Sequence, residues 1–258
     1  MEGIGIFIGF AAGAVIGSFI NAAAMRTVAE KKWWGSERSV CDNCGRTLNA
    51  FDLIPIVSYL VLAGRCRTCK KPIPSRHFIS ELAGGSIGAL SVWYWGIGMP
   101  LLFSFIALFF MLFHSLTDIE SGYIYDQWAL AMAAVSMLAR IPGGLGSMID
   151  GATGAALGFV FIYSIILLSR GGMGMGDAMM MLGVGALLGW KLTILSLYLG
   201  FMSGGIIVIP LLAAKKLSRK DAVPLGPYLA AGCILAIFTG RLIFEYLGFS
   251  LGWPWSNI

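Results

Sequence analysis

Charge is scarce in this sequence. Of its 258 residues, 12% are Asp, Glu, Lys or Arg and 58% are hydrophobic, and the mean hydropathy is +0.83. A soluble domain carries about twice that charge, so the composition excludes a soluble globular protein and implies a polytopic membrane protein. Histidine is nearly absent. His77 and His114 are the two, and neither stands in a Ser–His or Cys–His arrangement, so a histidine-activated nucleophile has little to be built from. No basic stretch precedes the first apolar run, "MEGIGIFIGFAAGAVIGSFINAAAMR". That run is long enough to span, and it reads as a first membrane helix, not a cleaved signal. No glycine-rich nucleotide-binding turn occurs, and no repeated halves of the kind common in transporters.

What is present is a series of apolar runs. A membrane-length window finds about eight spans, roughly at 3–25, 78–98, 100–117, 127–141, 151–169, 177–190, 192–213 and 223–247. The fourth and sixth are short for a full crossing, which implies tilt or burial by neighbours. With the N-terminus outside, fifteen of the eighteen basic residues fall on one side. Ten of these lie in the loop 26–77: Arg26, Lys31, Lys32, Arg38, Arg46, Arg65, Arg67, Lys70, Lys71 and Arg76. Arg170, Lys215, Lys216, Arg219 and Lys220 join them, leaving Arg140, Lys191 and Arg241 outside. This asymmetry makes the long loop cytoplasmic and puts both chain ends outside. It also accounts for the net charge of +5 without nucleic acid as a partner.

The long loop holds "CDNC" (Cys41, Cys44) and "CRTC" (Cys66, Cys69), with twenty-one residues between the pairs. That spacing fits a four-thiolate structural zinc site built from two knuckles, to which Gly45 and Lys70 are suited. A metal would close a loop too small and polar to have its own core. Two disulfides are the competing pattern, which a reducing cytoplasm disfavours. Cys233 falls in an apolar helix and reads as a small buried residue.

Acids at the ends of spans are costly and so mark candidate functional sites. Glu81, Asp118, Glu120, Asp126 and Asp177 all fall near the cytoplasmic face. Two carboxylates sharing a water and a proton could hydrolyse a peptide bond, one as base on the water and the other polarising the carbonyl. In "GGMGMGDAMMM", Gly174 and Gly176 precede Asp177 and would leave room for an extended substrate backbone. Met179, Met180 and Met181 read as helix packing.

These segments, in order, resemble the type IV prepilin peptidases, membrane aspartyl proteases of the GxGD kind. "GSFINAAAMR" (17–26), the cysteine loop, "ISEL" with Glu81, "TDIESGYIYD", "GMGMGDAMMMLGVGALLGW" and "VPLGPYLAAG" (223–232) are similar to the family's motifs. The resemblance implies that Asp118 and Asp177 are the catalytic pair. Glu81, near the start of the second span, is expected to recognise the substrate's N-terminal region or to pair with a basic residue, and Asp126 and Glu120 to support the site or contact the leader, beside the room left by Gly174 and Gly176. The expected activity is removal of a basic leader from prepilins and pseudopilins at the cytoplasmic face of the bacterial inner membrane. Methylation of the new N-terminus with S-adenosylmethionine is expected to follow in many members. The implied fold is all-α and polytopic. A first helix (1–25) would precede a cytoplasmic zinc-binding loop domain (26–77) and a membrane aspartyl protease region (78–258).

The chain departs from the family in places. Asp42 replaces a proline after the first cysteine, Tyr125 replaces the proline before Asp126, and Met179 stands where a lysine is usual. Two readings from other classes compete. One is a multipass transporter with proton-relay acids. The other is a non-catalytic pilus or secretion assembly factor with structural aspartates.

Overall fold

The computed structural model describes residues 2–32, 38–169, 173–216 and 223–256. Arg170, Arg219 and Lys220, counted above among the inner cations, lie outside them, as do Gly171 and Gly172. Among the described residues the chain is helical, and it divides into two compact units, Met1–Gly96 and Ile97–Ile258.

The first unit contains α1 (Glu2–Val28), the short α2 (Val57–Val61) and α3 (Ser75–Trp95). Helices α1 and α3 run antiparallel in close contact. A Cβ on Gly9, Gly13 or Gly17 would lie 2.7, 2.1 or 2.3 Å from the carbonyl oxygen of Gly88, Gly84 or Ser80. Small residues at membrane-helix interfaces permit this approach of backbones. By packing, α3 groups with α1.

The second unit contains α4 (Met99–Ser121), α5 (Asp126–Ala139), α6 (Gly144–Leu168), α7 (Met175–Leu188), α8 (Trp190–Ala213) and α9 (Gly226–Tyr246). Helix α7 is its centre. It touches α4, α5, α6, α8 and α9, and Ala178, Met180, Met181, Val184, Leu187 and Leu188 are all buried. A helix apolar on every side belongs in an interior. Its 14 residues extend only about 21 Å, less than the roughly 30 Å of a bilayer core. Burial by neighbours is therefore the reason so short a span is tolerated.

Among the described residues five helices are long and apolar enough to cross a membrane: Gly3–Val28, Met99–Ser121, Ile141–Leu168, Trp190–Ala213 and Gly226–Tyr246. α3 has the length, but Arg76, His77 and Glu81 lower its apolarity. α5 and α7 are shorter. Each of the eight expected spans nonetheless corresponds to one helix.

The far end of α7 is closed by a group that the loop-cation reading of Arg140 did not anticipate. Arg140 is fully buried. Its Nε donates to the Ala186 carbonyl at 2.7 Å, its Nη2 to Leu187 at 3.0 Å, and its Nη1 to Ser147 and Trp253 carbonyls at 2.9 and 3.1 Å. Asp150 Oδ2 balances the charge at 3.2 Å. The Trp255 indole donates to the Leu188 carbonyl at 3.1 Å. Helix geometry leaves the last carbonyls of α7 without partners, and these two side chains supply them.

Candidate active site and metal centre

Asp118 sits near the end of α4, where the apolar run stops and Gly122 ends the helix in the left-handed region, its N–H on the Asp118 carbonyl. The Asp118 side chain is buried. Its Oδ2 accepts the backbone N–H of Gly226, the first residue of α9, at 2.7 Å. Only glycine fits there, since a Cβ would lie 2.8 Å from that oxygen. Gly226 is thus a site residue that the sequence reading passed over, although the "LGP" of the quoted last motif carries it.

Asp177 stands in the first turn of α7 and is also buried. Its backbone N–H donates to the Gly174 carbonyl at 3.2 Å, and Gly174 N–H donates back to its Oδ2 at 3.3 Å. The aspartate therefore caps its own helix, and an acid there is favoured by the helix dipole. Helices α4 and α7, which carry the two aspartates, pack against each other, and both pack against α9. Each aspartate has one oxygen committed to a backbone N–H, a geometry that leaves carboxylate capacity for a water and a peptide.

The two glycines differ in use. A Cβ on Gly176 would strike Ile124 Cβ at 2.8 Å and its carbonyl at 2.9 Å, so this glycine seats the loop after α4 against the first turn of α7. At Gly174 a Cβ would meet, among the described residues, Asp177 Oδ2 at 3.6 Å and Gly176 N at 4.0 Å, both ordinary contacts. Among the described residues there is therefore room beside the carboxylate at Gly174, whereas at Gly176 it is taken by Ile124.

Asp126 is exposed in the first turn of α5, and Glu120 is exposed near the end of α4. Tyr125 takes φ −82, near the value a proline would impose, so α5 still begins at Asp126. Glu81 belongs to the first unit. Its Oε1 accepts Ser18 Oγ and its Oε2 accepts Ile56 N–H, both at 2.7 Å. It joins α1, the cysteine loop and α3. His77 Nδ1 pairs with Asn21 Nδ2 at 2.7 Å, between α1 and α3, as an interface histidine.

The cysteine loop forms two matching knuckles. Cys41 N–H donates to Arg46 O and Cys66 N–H to Lys71 O, both at 2.9 Å, while Gly45 and Lys70 donate back to the Cys41 and Cys66 carbonyls. Gly45 and Lys70 both take left-handed φ values, +68° and +57°. Asp52 ties the halves together by accepting from Arg46 and from Arg67. The four sulfurs lie within 4.8 Å of one another, Cys41 and Cys69 at 4.0 Å, and none forms a disulfide. Tetrahedral zinc with bonds of about 2.3 Å needs sulfurs roughly 3.8 Å apart, so the set fits a metal ion.

Two family models match the chain: the Bacterial Peptidase A24 N-terminal domain over residues 11–95 and the Type IV leader peptidase family over residues 105–209. A prepilin leader peptidase/N-methyltransferase of Bacillus subtilis is 29% identical over 244 residues, covering 94% of this chain and 98% of that protein. Proteins of the same description from Burkholderia pseudomallei and Pseudomonas aeruginosa are 28% and 27% identical. Each match covers 92% of this chain, with 86% and 92% of the respective relative. No solved structure matches.

Proposed function

Since this chain belongs to the type IV leader peptidase family, we propose that it is a membrane aspartic endopeptidase that removes the leader from prepilins and pseudopilins. The observation that carries the reading is the placement of Asp118 and Asp177. Two buried carboxylates stand on helices that pack against each other, each steadied by a backbone N–H. Two such carboxylates do not both ionise readily, and they share a proton. The ionised one takes a proton from the attacking water. The protonated one donates its proton to the scissile carbonyl. As the tetrahedral intermediate collapses, the first carboxyl passes the proton it took from water to the leaving amine, and the second recovers a proton from the diol hydroxyl, which restores the starting pair. Gly226 N–H holds Asp118 in line, Gly174 N–H holds Asp177, and the open face at Gly174 admits the substrate backbone. Asp126 and Glu120, both exposed at the ends of helices adjoining this site, suit a basic leader.

The excess of basic residues in the loop 26–77 supports a cytoplasmic active site with both termini outside. Cys41, Cys44, Cys66 and Cys69 would hold a structural zinc ion, which closes the loop and takes no part in the chemistry. A second activity, N-methylation of the new amine with S-adenosylmethionine, rests on the names of the relatives. The cavity of about 870 Å³ between α6 and α8 is lined by residues such as Leu157, Phe161, Phe201 and Met202, with no acid or amide to hold a ribose or an amino-acid group. It does not fit that cofactor, and no step is routed through it.

The test is mass spectrometry of a prepilin-type substrate after incubation with the purified chain, with and without S-adenosylmethionine. A single cut between a basic leader and the apolar helix supports the peptidase, and a further methyl mass supports the transferase. An uncut substrate opposes both, and favours a transporter or an assembly factor.

A further inference from the structure

The cysteine loop is basic and was read as lying in water, yet part of it is strongly apolar on its surface. Phe51, Leu60 and Val61 are 72, 62 and 75% exposed, and Leu53, Ile54 and Val57 are exposed as well. Val57, Leu60 and Val61 are spaced to share one face of α2. An apolar face of this kind on a water-facing loop calls for something to cover it.

Two contacts fix the level at which that face lies. Ile56 N–H donates to Glu81 Oε2 at 2.7 Å, and the Tyr59 ring stacks on Phe78 with centroids 5.1 Å apart. Glu81 in turn accepts from Ser18 Oγ. Ser18 is ten residues short of the end of α1, on the order of 15 Å along its axis, inside the apolar run. Around this level Val15, Phe19, Ile79 and Leu82 of α1 and α3 turn outward and are exposed, as lipid-facing side chains are. The loop therefore folds back beside the membrane helices. Ile56 holds φ +64, a conformation a β-branched residue keeps only when its surroundings impose it. Its N–H is the one held by Glu81.

The charge of the same module complements a lipid surface. Arg38, Arg65, Lys70 and Lys71 are exposed, while Arg46 and Arg67 are drawn onto Asp52. Basic residues flanking an apolar face are the pattern of interfacial elements on anionic membranes.

We propose that residues 51–61 form an interfacial element of the bilayer. The apolar face of α2 enters the acyl boundary beside α1 and α3, and Arg65, Lys70 and Lys71 take anionic lipid headgroups. Glu81 is the anchor that sets its depth. This assignment stands whether or not the chain is a peptidase.

The test places p-benzoylphenylalanine at Leu60 or Val61 of the full, metal-loaded chain, with Asn43 of the first knuckle as the control. Each is irradiated in nanodiscs of phosphatidylcholine with phosphatidylglycerol, and the adducts are identified by mass. Lipid adducts at both test positions should exceed those at Asn43 several-fold. They should fall when phosphatidylglycerol is omitted or in the Lys70→Gln, Lys71→Gln variant. Yields equal to those at Asn43, or cross-links to residues 97–258 in place of lipid, overturn the proposal. On the unmodified chain, hydroxyl-radical footprinting in the same nanodiscs should find Phe51 protected. A Phe51 that reacts as a water-exposed ring overturns it independently.

Discussion

Gly226→Ala probes the contact between α9 and Asp118 with the smallest change available. The added Cβ would lie 2.8 Å from Oδ2 and 3.2 Å from Cβ and Cγ of Asp118. The carboxylate must rotate away or α9 must move, and in either case the 2.7 Å bond from Gly226 N–H is lost. A hydrogen bond to a charged group contributes about 1.5–3 kcal/mol, and an off-rotamer side chain costs roughly 0.5–1.5 kcal/mol. If about 2–3 kcal/mol of this reaches the transition state, kcat falls ~30- to 160-fold. KM should change little, because Gly226 is placed to hold the aspartate and not the substrate. The assay is cleavage of a prepilin-type substrate in detergent, with thermal unfolding to confirm folding. Gly205→Ala in α8 is the control, since its nearest new neighbour is Ile209 Cδ1 at 3.8 Å. A folded Gly226→Ala enzyme with kcat within about threefold of wild type would refute the claim that this contact positions Asp118.

Three further predictions follow from the same contacts. Glu81→Ala strands the Ile56 N–H and the Ser18 hydroxyl, so unfolding should become easier by about 1–3 kcal/mol for each buried group left unpaired; a change in KM alone, with no loss of stability, would return Glu81 to substrate binding. Arg140→Met removes the donors from the carbonyls at the end of α7 and leaves Asp150 without its cation, which predicts a loss of roughly 3–5 kcal/mol and a clearly lower unfolding midpoint. Elemental analysis should find one zinc bound per chain in wild type and little in Cys66→Ser, with the knuckles losing protection in hydrogen exchange. Full metal retention in Cys66→Ser would exclude the four-thiolate set.

The membrane helices were legible because each is dominated by an apolar run, and helix ends agree with the expected spans within four residues, except that α6 begins seven residues before the expected 151. The knuckles were legible from cysteine spacing with Gly45 and Lys70 behind them. Interactions made to backbone were hidden. Nothing in the sequence says that Arg140 faces the carbonyls of Ala186 and Leu187, because a carbonyl looks the same at every residue. Gly226 escaped attention for the same reason: its contribution is an N–H and the absence of a Cβ. Gly176 looked like room for substrate, whereas its missing side chain is filled by Ile124. Helix α2 was missed because five residues inside a polar loop leave no periodic signal, and the partner that holds it, Glu81, lies twenty-five positions away. The grouping of α3 with α1 depended on glycines at 9, 13 and 17 meeting residues 88, 84 and 80, a register that only the folded pair reveals.

The most direct measurement is cleavage of a prepilin-type substrate by wild type, Asp118→Asn and Asp177→Asn, each first shown to be folded with the same unfolding profile. Asparagine keeps the shape of each side chain and can still accept Gly226 N–H or Gly174 N–H, but it can neither share nor move a proton. Loss of cleavage in both variants is the predicted result and establishes the dyad. Near wild-type cleavage in either one would remove that aspartate from the chemistry and contradict the proposed mechanism.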